Sequence, residues 1–107
     1  MTVIMNEQEY LKKTGAIYGS LFDNYSDALF EKSVSLFIER HKRWGIDLSW
    51  FGGKTCLDAG CGGGRFMVAL SRLGAREVKG IDISGTAVAL ANERLKKRGL
   101  LHAKACT

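Results

Sequence analysis

At 107 residues, 46% hydrophobic and 25% charged, the chain has room for one short globular domain of ordinary composition. No apolar run approaches the roughly 20 residues that a membrane span needs, and the N-terminus lacks the basic-then-apolar pattern of a secretory signal. The net charge of +5 comes from 16 Lys and Arg against 11 Asp and Glu, with much of the excess in Arg40-His41-Lys42-Arg43 and Lys96-Lys97-Arg98. These runs are short and carry no nucleic-acid recognition motif, so basicity alone does not indicate a nucleic-acid partner.

Taken in chain order, Asn6 followed by Glu9 suits a capping-box helix start, and Gly15 and Gly19 make that first helix short or broken. Tyr18 to Tyr25 is aromatic-rich, with Phe22 between them. Ser26 is the N-cap of a stronger helix on which Phe30, Val34, Phe37, Ile38 and His41 recur at helical spacing, until Gly45 ends it. The first basic run falls in its last turn, where cations complement the helix dipole. His41 on that stripe reads as a partly buried helix-end side chain rather than a catalytic base. Trp44 to Gly53 is a turn-rich connector, with Trp50 and Phe51 packing on the elements C-terminal to it.

Lys54 to Asp58, apolar in its middle and bounded by glycines, predicts a buried parallel strand. Beyond the glycines, Phe66, Ala69, Leu70 and Leu73 share one helical face, and Gly74 stops that helix. Glu77 to Ile83 predicts a second strand. Ser84 then caps a third strong helix with an inner stripe of Val88, Ala91 and Leu95, and with Gly99 at its end. Leu100 to Thr107 has the beginnings of a third strand, diluted by His102 and Lys104. Two strands joined by a helix make a right-handed parallel crossover, so the fold class is α/β.

Cys56, Cys61 and Cys106 are odd in number, at spacings that match no zinc site, and no metal is expected. They read as reduced and structural: Cys56 as a small buried residue in the strand, Cys61 as the small side chain that a tight turn demands. A cytoplasmic location follows from this and from the missing signal.

Chemistry is concentrated in two segments. Leu57 to Gly64 read L-D-A-G-C-G-G-G, and Gly80 to Ser84 read G-I-D-I-S. A strand, a glycine turn, a helix and a second strand ending in a carboxylate frame an adenosine-type cofactor. Glycine at Gly60, Gly62 and Gly64 lets the backbone turn sharply and lets a ligand approach with no Cβ in the way. N–H groups at the start of the next helix favour an electronegative ligand group. Asp82, 22 residues after Gly60, offers two oxygens to a pair of ribose hydroxyls.

Nicotinamide and S-adenosylmethionine sites share that carboxylate, and the first loop separates them. A dinucleotide fingerprint has glycine at its first, third and sixth places, and counting from Gly60 the sixth is Arg65. Asp58, just ahead of the turn, would repel a pyrophosphate. It suits an ammonium group or a water network around one.

C-L-D-A-G-C-G-G-G-R-F followed by V-K-G-I-D-I-S resembles the first two motifs of class I S-adenosylmethionine-dependent methyltransferases, close to the broad group that includes quinone-biosynthesis C-methyltransferases and many small-molecule methyltransferases. The resemblance runs from Thr55 to Gly99. It implies a Rossmann-like parallel sheet over residues 54–107, with residues 1–53 as a helical cap and connector. It implies S-adenosylmethionine as cofactor and a small-molecule methyl acceptor. Asp58 matches the acidic residue toward the methionine end; Gly60, Cys61, Gly62 and Gly64 match the loop that runs along the cofactor. Asp82 matches the ribose carboxylate and Ile83 the apolar residue against adenine, while Tyr18 or Tyr25 would close the methionine side.

Against that family the chain reads as a fragment that stops near the start of the third strand. No residue in it is assigned as a catalytic base. Transfer by such enzymes rests largely on placing the acceptor in line with the methyl group, a task for elements absent here. The 107 residues alone are therefore expected to be inactive and to self-associate through an open sheet edge. Two alternatives remain open at this point: half of a nicotinamide-linked oxidoreductase, and a non-catalytic module that works by pairing with another chain.

Overall fold

A computed structural model describes residues 7–9, 12 and 26–107. Residues 7–9 and 12 are helical, whereas the readings of Asn6, Gly15, Gly19 and the Tyr18–Tyr25 stretch lie outside the described residues. From Ser26 onward the order is helix α1 (Asp27–Arg43), a 3-10 turn (Leu48–Phe51), β1 (Thr55–Ala59), α2 (Arg65–Arg72), β2 (Glu77–Ile81), α3 (Gly85–Lys97) and β3 (Ala103–Cys106).

Local chemistry accounts for the helix boundaries. Ser26 and Ser84 cap α1 and α3, each hydroxyl accepting the backbone N–H three residues on, from Leu29 and Ala87 at 3.1 Å. Gly45, Gly74 and Gly99 come just after the three helices at positive φ, the conformation that lets a helix end in a left-handed turn. Arg40 to Arg43 occupy the last turn of α1, as the dipole argument expects. Arg98 does more than complement a dipole, because it pairs with Asp27 and Glu31 of α1 at 2.8 and 2.7 Å.

The three strands are parallel, in the order β1-β2-β3, and Leu100 to Thr107 does contain a full ladder strand. Both crossovers step the same way, so α2 and α3 cover one face of the sheet. Val78, Ala103 and Ala105 point into that face and are buried with Met67, Val68, Ala91 and Leu95. Phe30 and Val34 of α1 complete this core, with Phe37 and Ile38 packed at its margin.

The other face is uncovered, which corrects the expectation of a buried first strand. Burial alternates along β1, and Leu57 is 65% exposed. In register across that face lie Leu57, Lys79 and Lys104, then Ala59, Ile81 and Cys106. Cys56 is only half-buried. Phe51 packs on the core while Trp50 remains exposed, its ring edge-on to Phe51 and beside the Lys54 ammonium. Among the described residues no helix is long and apolar enough to cross a membrane.

Candidate functional site

The glycine turn leaves the C-terminal end of β1 and enters α2. Gly60, Gly62 and Gly64 have φ of +77°, +51° and +90°, a conformation that residues with a Cβ rarely adopt. Their reasons differ. A Cβ on Gly60 would meet nothing within 4 Å, so this position is open. A Cβ on Gly64 would stand 3.0 Å from Ala91 Cβ, so this glycine is required by the close approach of α2 to α3, with or without a ligand.

Register brings the two carboxylates together. Asp58 and Ala59 pair with Gly80 and Ile81, so the turn after β1 lies beside Asp82, the first residue past β2. The N–H groups of Gly60 and Cys61 donate to the Ile81 carbonyl at 2.8 and 2.9 Å. The Gly62 N–H donates to Asp82 Oδ2 at 2.8 Å, and the Ser84 N–H donates to Oδ1 at 2.9 Å. Those bonds explain why β2 stops at Ile81 rather than running on to Ile83. The Asp82 N–H still donates to the Cys106 carbonyl of β3 at 3.1 Å, and from Ser84 onward the turn into α3 takes up the donors.

Asp58 has a different environment. Its Oδ2 is buried and has no hydrogen-bond partner among the described residues. Burial raises its pKa above the ordinary carboxylate value; Arg65 opposes the rise and the nearby Asp82 carboxylate adds to it. A buried acceptor without a donor, beside an open glycine turn, is matched by a ligand ammonium or an ordered water. Cys61, in the same turn, is 5% exposed. Burial, then Asp58 and Asp82, push its thiol up to about 11, which keeps it protonated and inert as a nucleophile.

Ile83 is 54% exposed and does not line the cavity at the turn. That cavity, about 80 Å³, opens on the other side of the loop, between Gly60–Gly63 and α1, with Phe30, Ser33 and Arg94 among its walls. His41 is the partly buried helix-end residue expected: its Nδ1 lies 2.8 Å from the Phe37 carbonyl and its ring stacks on Phe37.

Three contributors escaped the sequence reading. Arg94 is buried, with Nη1 donating to the Gly63 carbonyl at 3.1 Å. Its signal was a cation on the inner stripe of α3, in helical step with Ala87 and Ala91. Gly80 is the second: a Cβ there would collide with Met67 Sδ and lie 2.9 Å from Cys61 Sγ, so β2 makes room for the turn. The third is the bond from Asp82 to the turn itself, which a linear spacing does not reveal.

Comparison with known proteins agrees with this fold. Residues 56–107 match the family described as a methyltransferase domain. The ribosomal protein L11 methyltransferase of Thiobacillus denitrificans is 45% identical over 51 residues, 48% of this chain and 17% of that protein. The chain thus spans under a fifth of the length of this relative. Among solved structures, an S-adenosyl-L-methionine-dependent methyltransferase of Methanococcus maripaludis superposes with a TM-score of 0.64 over 100% of this chain and 45% of its own, at 21% identity, a likeness of fold alone. Arabidopsis thaliana protein arginine methyltransferase 10 is 28% identical, with a TM-score of 0.53 over 56% of this chain and 17% of its own. Three parallel strands with helices packed on one face are part of a Rossmann-like methyltransferase fold. Residues 56–107 thus carry part of a class I S-adenosylmethionine-dependent methyltransferase domain, which implies S-adenosylmethionine as the cofactor.

Proposed function

We propose that this chain is the cofactor-binding part of an S-adenosylmethionine-dependent methyltransferase, with residues 1–53 as cap and connector and 54–107 as the partial binding domain. The observation that carries the reading is the unpartnered, buried Oδ2 of Asp58 beside the open turn at Gly60, with Asp82 on the neighbouring strand end. Asp58 would receive the methionine ammonium, directly or through water. The backbone of Gly60, Cys61, Gly62 and Gly64 would run along the cofactor. Asp82 gives one lone pair of each oxygen to the backbone and keeps others for the ribose hydroxyls. Ile83 offers exposed apolar surface next to it for the adenine ring.

The cofactor, when bound, supplies an electrophilic methyl group. This chain's own contribution is to bind and orient. Isothermal titration of the chain with S-adenosylhomocysteine and with NAD tests the reading. Saturable binding of the first, lost in Asp58→Ala, supports it. Binding of NAD alone would turn the assignment to an oxidoreductase half.

For the acceptor we keep a small molecule as our reading, from the flavour of the motifs. A protein acceptor is the second reading, favoured by the ribosomal protein in the names of similar sequences. Transfer from radiolabelled S-adenosylmethionine into size-fractionated cell extract, by the intact protein that carries this chain, separates the two.

A further inference from the structure

A segment with three glycines at positive φ within five residues, Gly60, Gly62 and Gly64, has to be held by its neighbours. Glycine gives up more backbone freedom on ordering than any other residue. The first half of the turn is tied to β2, through Ile81 and Asp82. Its second half is tied elsewhere. Arg94 Nη1 donates to the Gly63 carbonyl at 3.1 Å, from a side chain that is 6% exposed.

A buried guanidinium needs partners on its faces as well as at its edges. Arg94 lies over the Phe30 ring at 4.1 Å, and Phe30 belongs to α1. Arg98 stacks over the same ring at 4.8 Å and donates to the Arg94 carbonyl at 3.1 Å. It also pairs with Asp27 and Glu31, one turn apart on α1. Helix α1, helix α3 and the glycine turn therefore meet at one side chain.

We propose that Arg94 is a positioning residue for the glycine turn, and that α1 holds it in place through Phe30. Order in the turn then depends on the docking of α1, a helix that contributes no backbone to the sheet. The inference builds on the turn as cofactor loop, but its test needs no cofactor, so failure of one is distinguishable from failure of the other. Were Arg94 merely a core residue, its loss would loosen the whole chain evenly. A positioning role opens the turn ahead of the rest.

Amide hydrogen exchange, measured by NMR on the chain and on Arg94→Met, separates these outcomes. The Gly62 and Gly64 amides should exchange at least about tenfold faster in the variant, while Val78 and Gly80 in β2 change by less than about threefold. Arg94→Lys, which keeps a cationic donor, should restore part of the protection. Equal acceleration in turn and strand, or none in the turn, overturns the proposal. Should Arg94→Met not fold, Phe30→Leu decides in its place. That variant keeps the guanidinium, removes the ring beneath it, and must show the same selective opening.

Discussion

The Gly62 N–H donates to Asp82 Oδ2 at 2.8 Å, so the middle of the glycine turn is fastened to the first residue beyond β2. The other oxygen of the same carboxylate accepts from Ser84 N–H at 2.9 Å and shapes the entry into α3. One side chain thus sets the turn and the start of a helix before any ligand arrives. Asp82→Ala should weaken S-adenosylhomocysteine binding by about 1.5–3 kcal/mol, the scale of hydrogen bonds to a charged group. Calorimetry measures this. Unchanged affinity would remove Asp82 from the site.

Gly80 lies where β2 passes beneath the turn. An added methyl would collide with Met67 Sδ and crowd Cys61, both buried. Gly80→Ala should therefore destabilise the chain by about 1–3 kcal/mol, the usual cost of overpacking a filled core. The second variant Cys61→Ala, made in the Gly80→Ala background, should recover part of that loss by removing Sγ. Urea melts of the single and double variants check both statements, and an additive pair would show that the two sites do not touch.

The ion pairs on α1 make stability depend on pH. Arg72 first, and then Arg98, hold the Glu31 carboxyl down from 4.5 to about 2, against the opposing effect of burial. A carboxyl whose pKa is depressed on folding contributes fully above its unfolded value and less as pH falls through the folded one. The loss is thus expected between pH 4.5 and about 2. Its size is reduced by solvent, because the Glu31 and Arg72 side chains are 37% and 40% exposed, whereas Arg98 is 10% exposed. Glu31→Gln should flatten this part of the pH profile of the urea midpoint. A profile that keeps its slope would place the acid sensitivity in other carboxylates.

Thiol reactivity should depend on position in the sheet. Cys106 is exposed on the open face, and Cys61 is buried with its thiol raised to about 11. Iodoacetamide at neutral pH should therefore label Cys106 first and leave Cys61 unmodified while the chain is folded. Peptide mass mapping over time reads the order directly. Early labelling of Cys61 would mean that the turn opens readily.

The uncovered sheet face predicts the behaviour of the 107 residues alone. Leu57 and Ile81 are 65% and 42% exposed there, next to the edge of β1 that no strand among the described residues pairs with. Open edges and apolar faces recruit further polypeptide. Analytical ultracentrifugation should show self-association of the chain, reduced in Leu57→Lys, together with no methyl transfer. A monodisperse monomer that turns over S-adenosylmethionine would refute this.

Much of this architecture was legible in linear order, because its determinants are local. Ser26 and Ser84 announce helix starts, glycines at Gly45, Gly74 and Gly99 announce helix ends, and the alternating glycines before Arg65 announce a turn without side chains. The spacing from Gly60 to Asp82 also placed a carboxylate at the second strand end, since one crossover has a narrow range of lengths. What tertiary structure alone decided are the relations between residues far apart in the chain. That Asp82 bonds Gly62, that Gly80 must be empty for Cys61, and that Arg94 reaches Gly63 while lying on Phe30 all depend on the register of β1 with β2 and on the docking of α1. The exposed face of β1 is of the same kind. An apolar strand such as Thr55–Ala59 states only that it can be buried, and whether it is depends on what packs against each side.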